Sequence, residues 1–437
     1  MKRAFVVGGL VFGDEGKGTT VDYLVRQYDA SVVIRYNGGS QAGHNVVTPD
    51  GIHHCFAQFG SGTLVPGVWT YLSRFMFIDP MRLMSEYDVL AGKGFGDALD
   101  RLIISGSCPI ITPYHKLAGQ IQELINGDGR LGSCGMGVGD AMKAFANDPV
   151  DCLTMSDLSD PWVLERKLRI LQAKKKSFVE MVAKFSTDKA VTDRIAEINS
   201  DKLFERCLKS YSAFSVIIPN IDDGRYLSEL LSRSGNIVFE GAQGALLDRE
   251  LGFQPYITRS NCSFANADEL LTGYDGRIVK LGITRAFATR HGNGPFVSEA
   301  ALPSSVLVGE HNVQNEWQGH FRVGWLDLVA LRRGFDILGK LDGVVVTNLD
   351  RVSELDELRV CIAYNTAEGL TKDRIIGSGR LMTDGLFTST PVYRLFRREG
   401  VFEEYMKYLE KYIPVPIVVT SRGPTARDKE SILNIWP

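Results

Sequence analysis

Apolar residues in this chain come in short unbroken runs rather than in alternation with polar ones, and many of the runs are rich in valine and isoleucine. Ala4 to Val11, Ser31 to Ile34, Leu102 to Ile104, Asn236 to Phe239, Arg277 to Leu281, Gly343 to Val346 and Ile417 to Thr420 are of this kind. Runs without alternation, separated by stretches of helical spacing, predict strands covered on both faces, hence a mainly parallel sheet. The fold class expected is α/β, a large mainly parallel sheet with flanking helices. From about Trp162 to Ser212 the pattern changes, with apolar residues three and four apart among lysines and glutamates. That spacing predicts an α-helical subdomain inserted between sheet strands. Within it, Lys174-Lys175-Lys176 reads as a solvated helix face. The expected division is a central sheet core over 1–105 and 205–275, a mainly helical insertion over 106–204, and a C-terminal α+β subdomain over 276–437.

Composition narrows what such a fold does. With 437 residues, 44% of them hydrophobic, the chain is long enough to bury a large core. Its 49 basic and 52 acidic residues nearly cancel, so there is no broad positive field for nucleic acid or a membrane surface, and neither is expected as a partner. Seven cysteines, Cys55, Cys108, Cys134, Cys152, Cys207, Cys262 and Cys361, are scattered singly. An odd number without a CxxC pair argues against a disulfide framework or a zinc site and for a reducing, cytoplasmic setting. The start, Met1-Lys2-Arg3 and then Ala4 to Phe12, superficially resembles a secretion signal. Asp14, Glu15 and Lys17 follow at once, without a small-residue cleavage site, and the run reads as a buried strand. No stretch approaches the roughly 20 apolar residues that cross a bilayer.

The first strand feeds directly into Gly13-Asp14-Glu15-Gly16-Lys17-Gly18-Thr19-Thr20, and a helical pattern follows from Val21 to Arg26. A glycine-rich turn at a helix N-terminus exposes backbone N–H groups to an anion, and Lys17 adds positive charge at phosphates, which makes this a P-loop-like nucleotide-binding core. The common GxxxxGK[ST] loop is not matched, since Val11 stands at its first glycine and Gly18 at its metal-binding hydroxyl. Asp14, at the mouth, is placed to bind Mg²⁺ or to take a proton from a substrate beside the γ-phosphate. The bland account is a tight turn with Asp14 as helix N-cap. A second cluster, Arg35-Tyr36-Asn37-Gly38-Gly39-Ser40-Gln41-Ala42-Gly43-His44, also follows an apolar run. Two such strand ends form a crevice at the carboxyl edge of a sheet, where His44 would stabilise charge on a phosphoryl group in transfer. His53-His54-Cys55 has no companion ligands and reads as structural.

The pairing of GDEGKG at 13–18 with NGGSQAGH at 37–44 resembles the adenylosuccinate synthetase family, and further matches follow in the family's order. They are Phe239 to Gly244, Pro255 to Asn261, Thr289 to Phe296, Gly324 to Asp327, Thr347 to Asp350 and Ser421 to Pro424. The resemblance implies a ligase that joins L-aspartate to a 6-oxopurine nucleotide, usually IMP, with GTP and Mg²⁺, in a homodimer. It implies that Asp14 takes the proton from purine N1, that His44 stabilises the γ-phosphoryl oxygens, and that Lys17 holds phosphates. Asp14 and the Gly43 carbonyl would bind the metal. Gly13, Glu15, Gly16, Gly18, Thr19, Asn348, Asp350, Ser421, Gly423 and Pro424 fall on nucleoside-triphosphate positions, with Asp350 as the carboxylate that reads guanine. Gln41, Ala42, Cys134, Gln243 and Thr258 fall beside the purine nucleotide.

The departures from the family's pattern cluster on specificity. Gln41 replaces the usual asparagine, Cys134 a threonine and Met136 an arginine, and the following helix, Ala141 to Asn147, offers Lys143 but no match to the arginine contributed across the dimer. The amino-acid loop, Asn315-Glu316-Trp317-Gln318-Gly319-His320-Phe321-Arg322-Val323-Gly324, keeps a single arginine, Arg322. Fewer charge-assisted bonds for a dicarboxylate leave another amine or amino acid open as donor. Asn348 replaces a lysine, which leaves ATP open beside GTP. Cys134-Gly135-Met136-Gly137 is closer to a phage branch that aminates dGMP, although Asp14, which that branch can lack, is present. A nucleotide-binding regulator without catalysis is the reading of another class. Joint retention of Asp14, Lys17 and His44 counts against it, because binding alone needs neither a base nor an imidazole.

Overall fold

The computed structural model describes residues 2–308, 317–397 and 400–432. Among them, ten strands form one sheet in the order Lys429–Ser431, Ile417–Ser421, Gly343–Thr347, Arg277–Arg285, Arg3–Gly9, Asn236–Glu240, Ala30–Arg35, Trp69–Leu72, Leu102–Ser105 and Ile221–Asp222. Every neighbouring pair is parallel except the first. All the strands expected from the apolar runs are in it. The runs lack alternation because both faces are covered: Ala4 and Val6 join Ile34 and Phe239 on one side, while Phe5 and Val7 pack with Leu24, Val33, Val238 and Val279 on the other. Helix Lys17–Tyr28 lays Val21, Leu24 and Val25 on that second face and ends at Asp29, whose left-handed φ of 49° turns the chain into the next strand.

One feature of the sheet bears on the expected division. Strand Arg277–Arg285 pairs with Arg3–Gly9 at the middle of the sheet, so a boundary at 276 cuts through the core rather than beside it. Periodicity shows that a run is buried but not which strand it adds to, since pairing is set by packing at long range. What lies outside the main sheet is a smaller one. Phe287–Arg290 runs antiparallel to Arg322–Asp327, which pairs with Leu358–Asn365, and Thr371–Lys372 and Thr390–Phe396 flank the latter.

Between Leu102–Ser105 and Ile221–Asp222 come the helices Pro113–Asn126, Val138–Asn147, Pro161–Val182, Lys189–Asn199 and Asp201–Ile217. Their starts are written locally. Thr112 and His115 cap each other's backbone ahead of Pro113, and Asp160, Asp188 and Ser200 accept from first-turn N–H groups. Leu164, Leu168, Val179 and Val182 form the buried stripe that packs on Val191, Leu203, Phe204 and Cys207. The lysine run is not simply solvated. Lys174 pairs with Asp148 and Asp151 on the surface, whereas Lys175 is largely buried against Asp140 and ties two helices together. The pattern alone could not show this, because the partner carboxylate lies on another helix. Among the described residues all seven cysteines are free thiols, and no helix is long and apolar enough to cross a membrane.

Candidate active site

The phosphate loop, the 37–44 turn, Gly241 to Gln243, Arg285, Asn348 to Asp350 and Ser421 to Pro424 all leave the carboxyl ends of parallel strands of the large sheet. That edge is where an open α/β sheet leaves a crevice for ligands. In the loop, Gly13, Asp14 and Gly16 have φ of 92°, 54° and 86°. Left-handed residues this close together turn successive N–H groups to one side, making a concave anion cradle. Helix Lys17–Tyr28 begins at Gly16 with no side-chain cap and no acidic residue in its first turn, so its N-terminal donors stay open to a phosphate.

Asp14 therefore caps nothing. Its Oδ2 lies 3.1 Å from His291 Nε2, and Arg285 Nε donates to its backbone carbonyl. Burial pushes the carboxyl upward, but the bond and charge of His291, together with Arg285 and Lys17, hold it below its usual value. It is an ionised acceptor at neutral pH. Glu15 faces the other way. Val11 N–H donates to its Oε1, Lys17 Nζ is 3.6 Å from its Oε2, and Thr347 Oγ1 donates to its carbonyl at 2.8 Å. Burial raises the Glu15 carboxyl to about 7 against the pull of Lys17. Its side chain is a strut under the loop, and its backbone is the part left for a nucleotide.

His44 starts the hairpin His44–Val47/His53–Phe56 and sits directly against the loop, where a Cβ added at Gly18 would come within 2.9 Å of the His44 Cβ. His44 Nδ1 is 2.5 Å from Glu240 Oε1, and Ser61 donates to the same carboxylate through Oγ at 2.5 Å and N–H at 2.9 Å. Burial opposes ionisation of Glu240, yet Arg35, His44 and Ser61 together hold it at about 2. Arg35, fully buried, is paired with Glu240 in strand register and donates to the Phe59 carbonyl at 3.0 Å. A fixed carboxylate on Nδ1 assigns that nitrogen the proton and leaves Nε2 for a ligand. Burial lowers the His44 pKa, Arg35 and Lys17 add to the effect, and Glu240 opposes it. Lys17 is thus within electrostatic reach of both Asp14 and His44, and the three expected catalytic groups share one site.

Beside them, Asn37 receives the Ala242 N–H at 2.6 Å and donates to the Asn261 carbonyl at 2.8 Å, fastening the 37–44 turn to the 241–261 segment. Gln243 (φ 60°) lies against Gly38 and Gln41 against Gly39, and the buried Oε1 of each has no protein partner among the described residues. Ala42 N–H donates to the Gly39 carbonyl at 3.3 Å, Gly43 is exposed, and Thr258 is half-buried with its N–H on the Leu247 carbonyl at 2.9 Å. Burial raises the Cys134 thiol. Arg82, from the helix Pro80–Gly92, directs Nη1 to Met136 Sδ at 2.9 Å and brings its charge within reach of Cys134.

The triphosphate positions from the two ends of the chain also meet. Thr19 Oγ1 donates to the Pro424 carbonyl at 2.7 Å, and Ser421 Oγ to the Gly423 carbonyl at 3.0 Å. Asn348 (φ 59°) accepts from Thr347 Oγ1 at 3.0 Å, and Asp350 Oδ2 is 3.1 Å from Arg351 Nε.

The loop expected to take the amino acid lies against Gly132, Gly135 and His291. Asn315 and Glu316 lie outside the described residues. Trp317 covers Gly135 so closely that a Cβ there would stand 2.6 Å from the indole, at a φ of 68° that itself favours glycine. The Arg194 guanidinium is 5.3 Å from that ring and donates to Gln120, which donates to the Gly135 carbonyl at 3.0 Å. The Gln318 carbonyl faces Gly132, Gly319 turns the chain at φ 75°, and His320 is exposed. Phe321 packs on His291 with ring centroids 5.0 Å apart. Arg322 is already engaged: Glu299 receives its Nε at 3.0 Å and its Nη2, and the Gly292 and Gly294 carbonyls receive Nη1 at 3.1 and 2.6 Å. His291, Glu240, Glu299 and Arg82 had no role in the sequence reading. Glu240 and His291 lie inside the matched segments Phe239 to Gly244 and Thr289 to Phe296, which is the signal that could have found them, whereas Glu299 and Arg82 become visible only in three dimensions.

A glycine-rich anion cradle at a helix N-terminus, with an ionised carboxylate, a lysine and a carboxylate-held imidazole beside it on the carboxyl edge of a mostly parallel sheet, is the arrangement of a nucleotide-dependent α/β enzyme. The adenylosuccinate synthetase family profile matches residues 6–430. The adenylosuccinate synthetase of Chlorobium chlorochromatii is 33% identical over 96% of this chain and 95% of its own, and that of Alkalilimnicola ehrlichii 33% identical over 98% of each. A fully ligated adenylosuccinate synthetase from Plasmodium falciparum shares the fold with a TM-score of 0.80 at 22% identity, covering 98% of this chain and 99% of that one. The cyanophage S-2L succinoaminodeoxyadenylate synthetase, bound to dGMP and to dATP as energy donor, does so with a TM-score of 0.61 at 16% identity over 99% and 95%. The chain belongs to the adenylosuccinate synthetase family, and it is a C–N bond-forming ligase that uses a nucleoside triphosphate to join an amino donor to a purine nucleotide.

Proposed function

We propose that this ligase moves the γ-phosphoryl group of GTP to the 6-oxo oxygen of IMP, after which the amino group of L-aspartate displaces phosphate from C6. The observation that carries the reading is the convergence of Asp14, Lys17 and His44 on one strand edge, with His44 fixed by an ionised Glu240. Asp14, ionised, accepts the N1 proton, which places negative charge on O6 for attack on the phosphoryl group. His44 Nε2 faces the charge that grows on the transferring oxygens, and Lys17 with the loop N–H groups holds the β- and γ-phosphates. Phosphate, unlike the 6-oxo group, is a leaving group an amine can displace.

Mg²⁺ fits the donor set, since one carboxylate (Asp14), one carbonyl (Gly43) and nucleotide phosphate oxygens are the hard ligands this ion takes with water. When bound it would neutralise charge on the triphosphate. Gln243, Gln41, Ala42, Thr258 and Cys134 are assigned to the purine nucleotide, and Asp350, Asn348, Ser421, Gly423 and Pro424 to the triphosphate base. The insertion over 106–204 closes on the purine nucleotide, and residues after 276 carry the donor loop and base pocket. A homodimer in the cytoplasm completes the proposal.

A second reading keeps the mechanism and changes substrates: (d)GMP in place of IMP, another amine in place of aspartate, or ATP in place of GTP. It is favoured by the commitment of Arg322 to Glu299, which leaves a dicarboxylate without a ready cation in the described loop. Incubation of IMP, GMP and dGMP with aspartate and other amines, with GTP or ATP, followed by mass spectrometry of products, decides between them. An N6-succinyl product from IMP is expected. Triphosphate hydrolysis independent of both other substrates, or none with any combination, would point to a regulator and overturn both readings.

A further inference from the structure

One buried cation is used by none of the chemistry above. Lys429, on the edge strand Lys429–Ser431, is 8% exposed, and its Nζ donates to Thr19 Oγ1 at 2.6 Å and to the Thr425 carbonyl at 3.0 Å. Thr19 lies in the first turn of the phosphate-loop helix and passes its own proton to the Pro424 carbonyl at 2.7 Å. Thr425 is held in turn by Asp428, which receives its N–H at 2.8 Å and its Oγ1 at 2.7 Å. The ammonium thus closes a ring of bonds between the helix that cradles phosphates and the loop Ser421 to Thr425 that borders the base pocket. Three carboxylates face it: Asp22 from the phosphate-loop helix, Asp428 from the turn before its own strand, and Asp350 from the turn after Gly343–Thr347.

We infer that Lys429 is a positioning residue for the nucleoside triphosphate, holding base loop and phosphate loop at the one spacing that lets a single nucleotide span both. The inference rests on the proposed placement of the triphosphate along this edge. Without the ammonium, Thr19 and the Thr425 carbonyl lose their shared donor, and the bonds that tie the base loop to the phosphate-loop helix are reduced to the Thr19 contact with Pro424. Affinity for the triphosphate then falls, while the purine-nucleotide crevice on the far side of the phosphate loop is untouched. Burial pulls the Lys429 pKa down to about 8, against Asp22, Asp428 and Asp350. Triphosphate affinity therefore weakens as pH rises through about 8, when the ammonium loses its proton.

The test is equilibrium dialysis of GTP and of ATP with Mg²⁺, without purine nucleotide or amine, across about pH 6.5 to 9, on the parent, Lys429→Met and Lys429→Arg. Lys429→Met is expected to bind the preferred triphosphate about tenfold more weakly and to lose the alkaline step, with IMP affinity and kcat at saturating triphosphate near the parent's. Lys429→Arg, charged throughout, is expected to bind near the parental level at low pH and to keep that affinity above pH 8. Parental affinity and pH dependence in both variants would overturn the inference, as would an equal loss for IMP. Should the Met variant fail to fold, a parental alkaline step in the Arg variant overturns it alone. A parent that binds neither triphosphate overturns the proposed function and this inference with it.

Discussion

The strand edge proposed for phosphoryl transfer and the 317–322 loop proposed for the amino donor are built on different principles. At the transfer edge each side chain is fixed from behind by a buried group: His44 by Glu240, Glu240 by Arg35 and Ser61, and the loop by Glu15 and Thr347. At the donor mouth, positions depend on an indole laid over a glycine and on an ion pair, Arg322 with Glu299, that is internal to the protein. Buried charges held by hydrogen bonds and by each other leave few alternative arrangements, whereas a partly exposed pair on a loop exchanges partners at little cost. On the proposed assignment, the chemistry is the rigid part of this enzyme and donor choice the part open to change.

The comparison breaks most severely at Asp14. Asp14→Asn is expected to lower kcat by about a thousandfold or more, as removal of a general base does, while GTP binding persists. Comparable rates in variant and parent would remove Asp14 as the base. Next come His44→Asn and Glu240→Gln, each expected to cost roughly a hundredfold in kcat. Because the carboxylate acts through the imidazole, the double variant should be little worse than either single one. Multiplying losses in rapid-quench measurements would show that the two act separately.

At the donor mouth smaller effects are expected, concentrated in KM. Trp317→Ala should raise KM for the amino donor by about tenfold, near 1.4 kcal/mol, with kcat within a few-fold of the parent. A hundredfold fall in kcat with unchanged KM would place Trp317 in the transfer machinery instead. Glu299→Gln releases Arg322 and should lower KM for a dicarboxylate donor by about threefold, the scale of a partly exposed ion pair. A rise in that KM would mean that Glu299 holds the arginine in its working pose.

The same contrast explains what the sequence disclosed. Strands such as Arg3–Gly9 and Gly343–Thr347 were readable because continuous burial leaves a local signature, and the phosphate loop because glycines and a lysine in that spacing serve few other ends. Trp69–Leu72 is interrupted by Thr70 and lacks a continuous apolar run, Ile221–Asp222 is only two residues long, and the continuation of the central sheet past 276 depends on pairing between distant segments. In the site, Asp14, Lys17 and His44 were legible because each sits inside a glycine-rich strand end. The contact of His291 with Asp14, the hold of Glu299 on Arg322, the approach of Arg82 to Met136 and the ring closed by Lys429 were not, since each joins segments that only the folded sheet brings together.

The position of strand Arg3–Gly9 carries a consequence for biosynthesis. It precedes the other strands of its sheet in the chain, yet its two neighbours, Asn236–Glu240 and Arg277–Arg285, come after Ala30–Arg35, Trp69–Leu72, Leu102–Ser105 and Ile221–Asp222. Until Asn236–Glu240 has been made, this buried strand has neither edge paired, although the helical insertion precedes that partner in the chain. With this order of pairing, truncation before residue 285 is expected to expose an unpaired apolar strand and to favour aggregation over a smaller enzyme, which the solubility of such truncations would check.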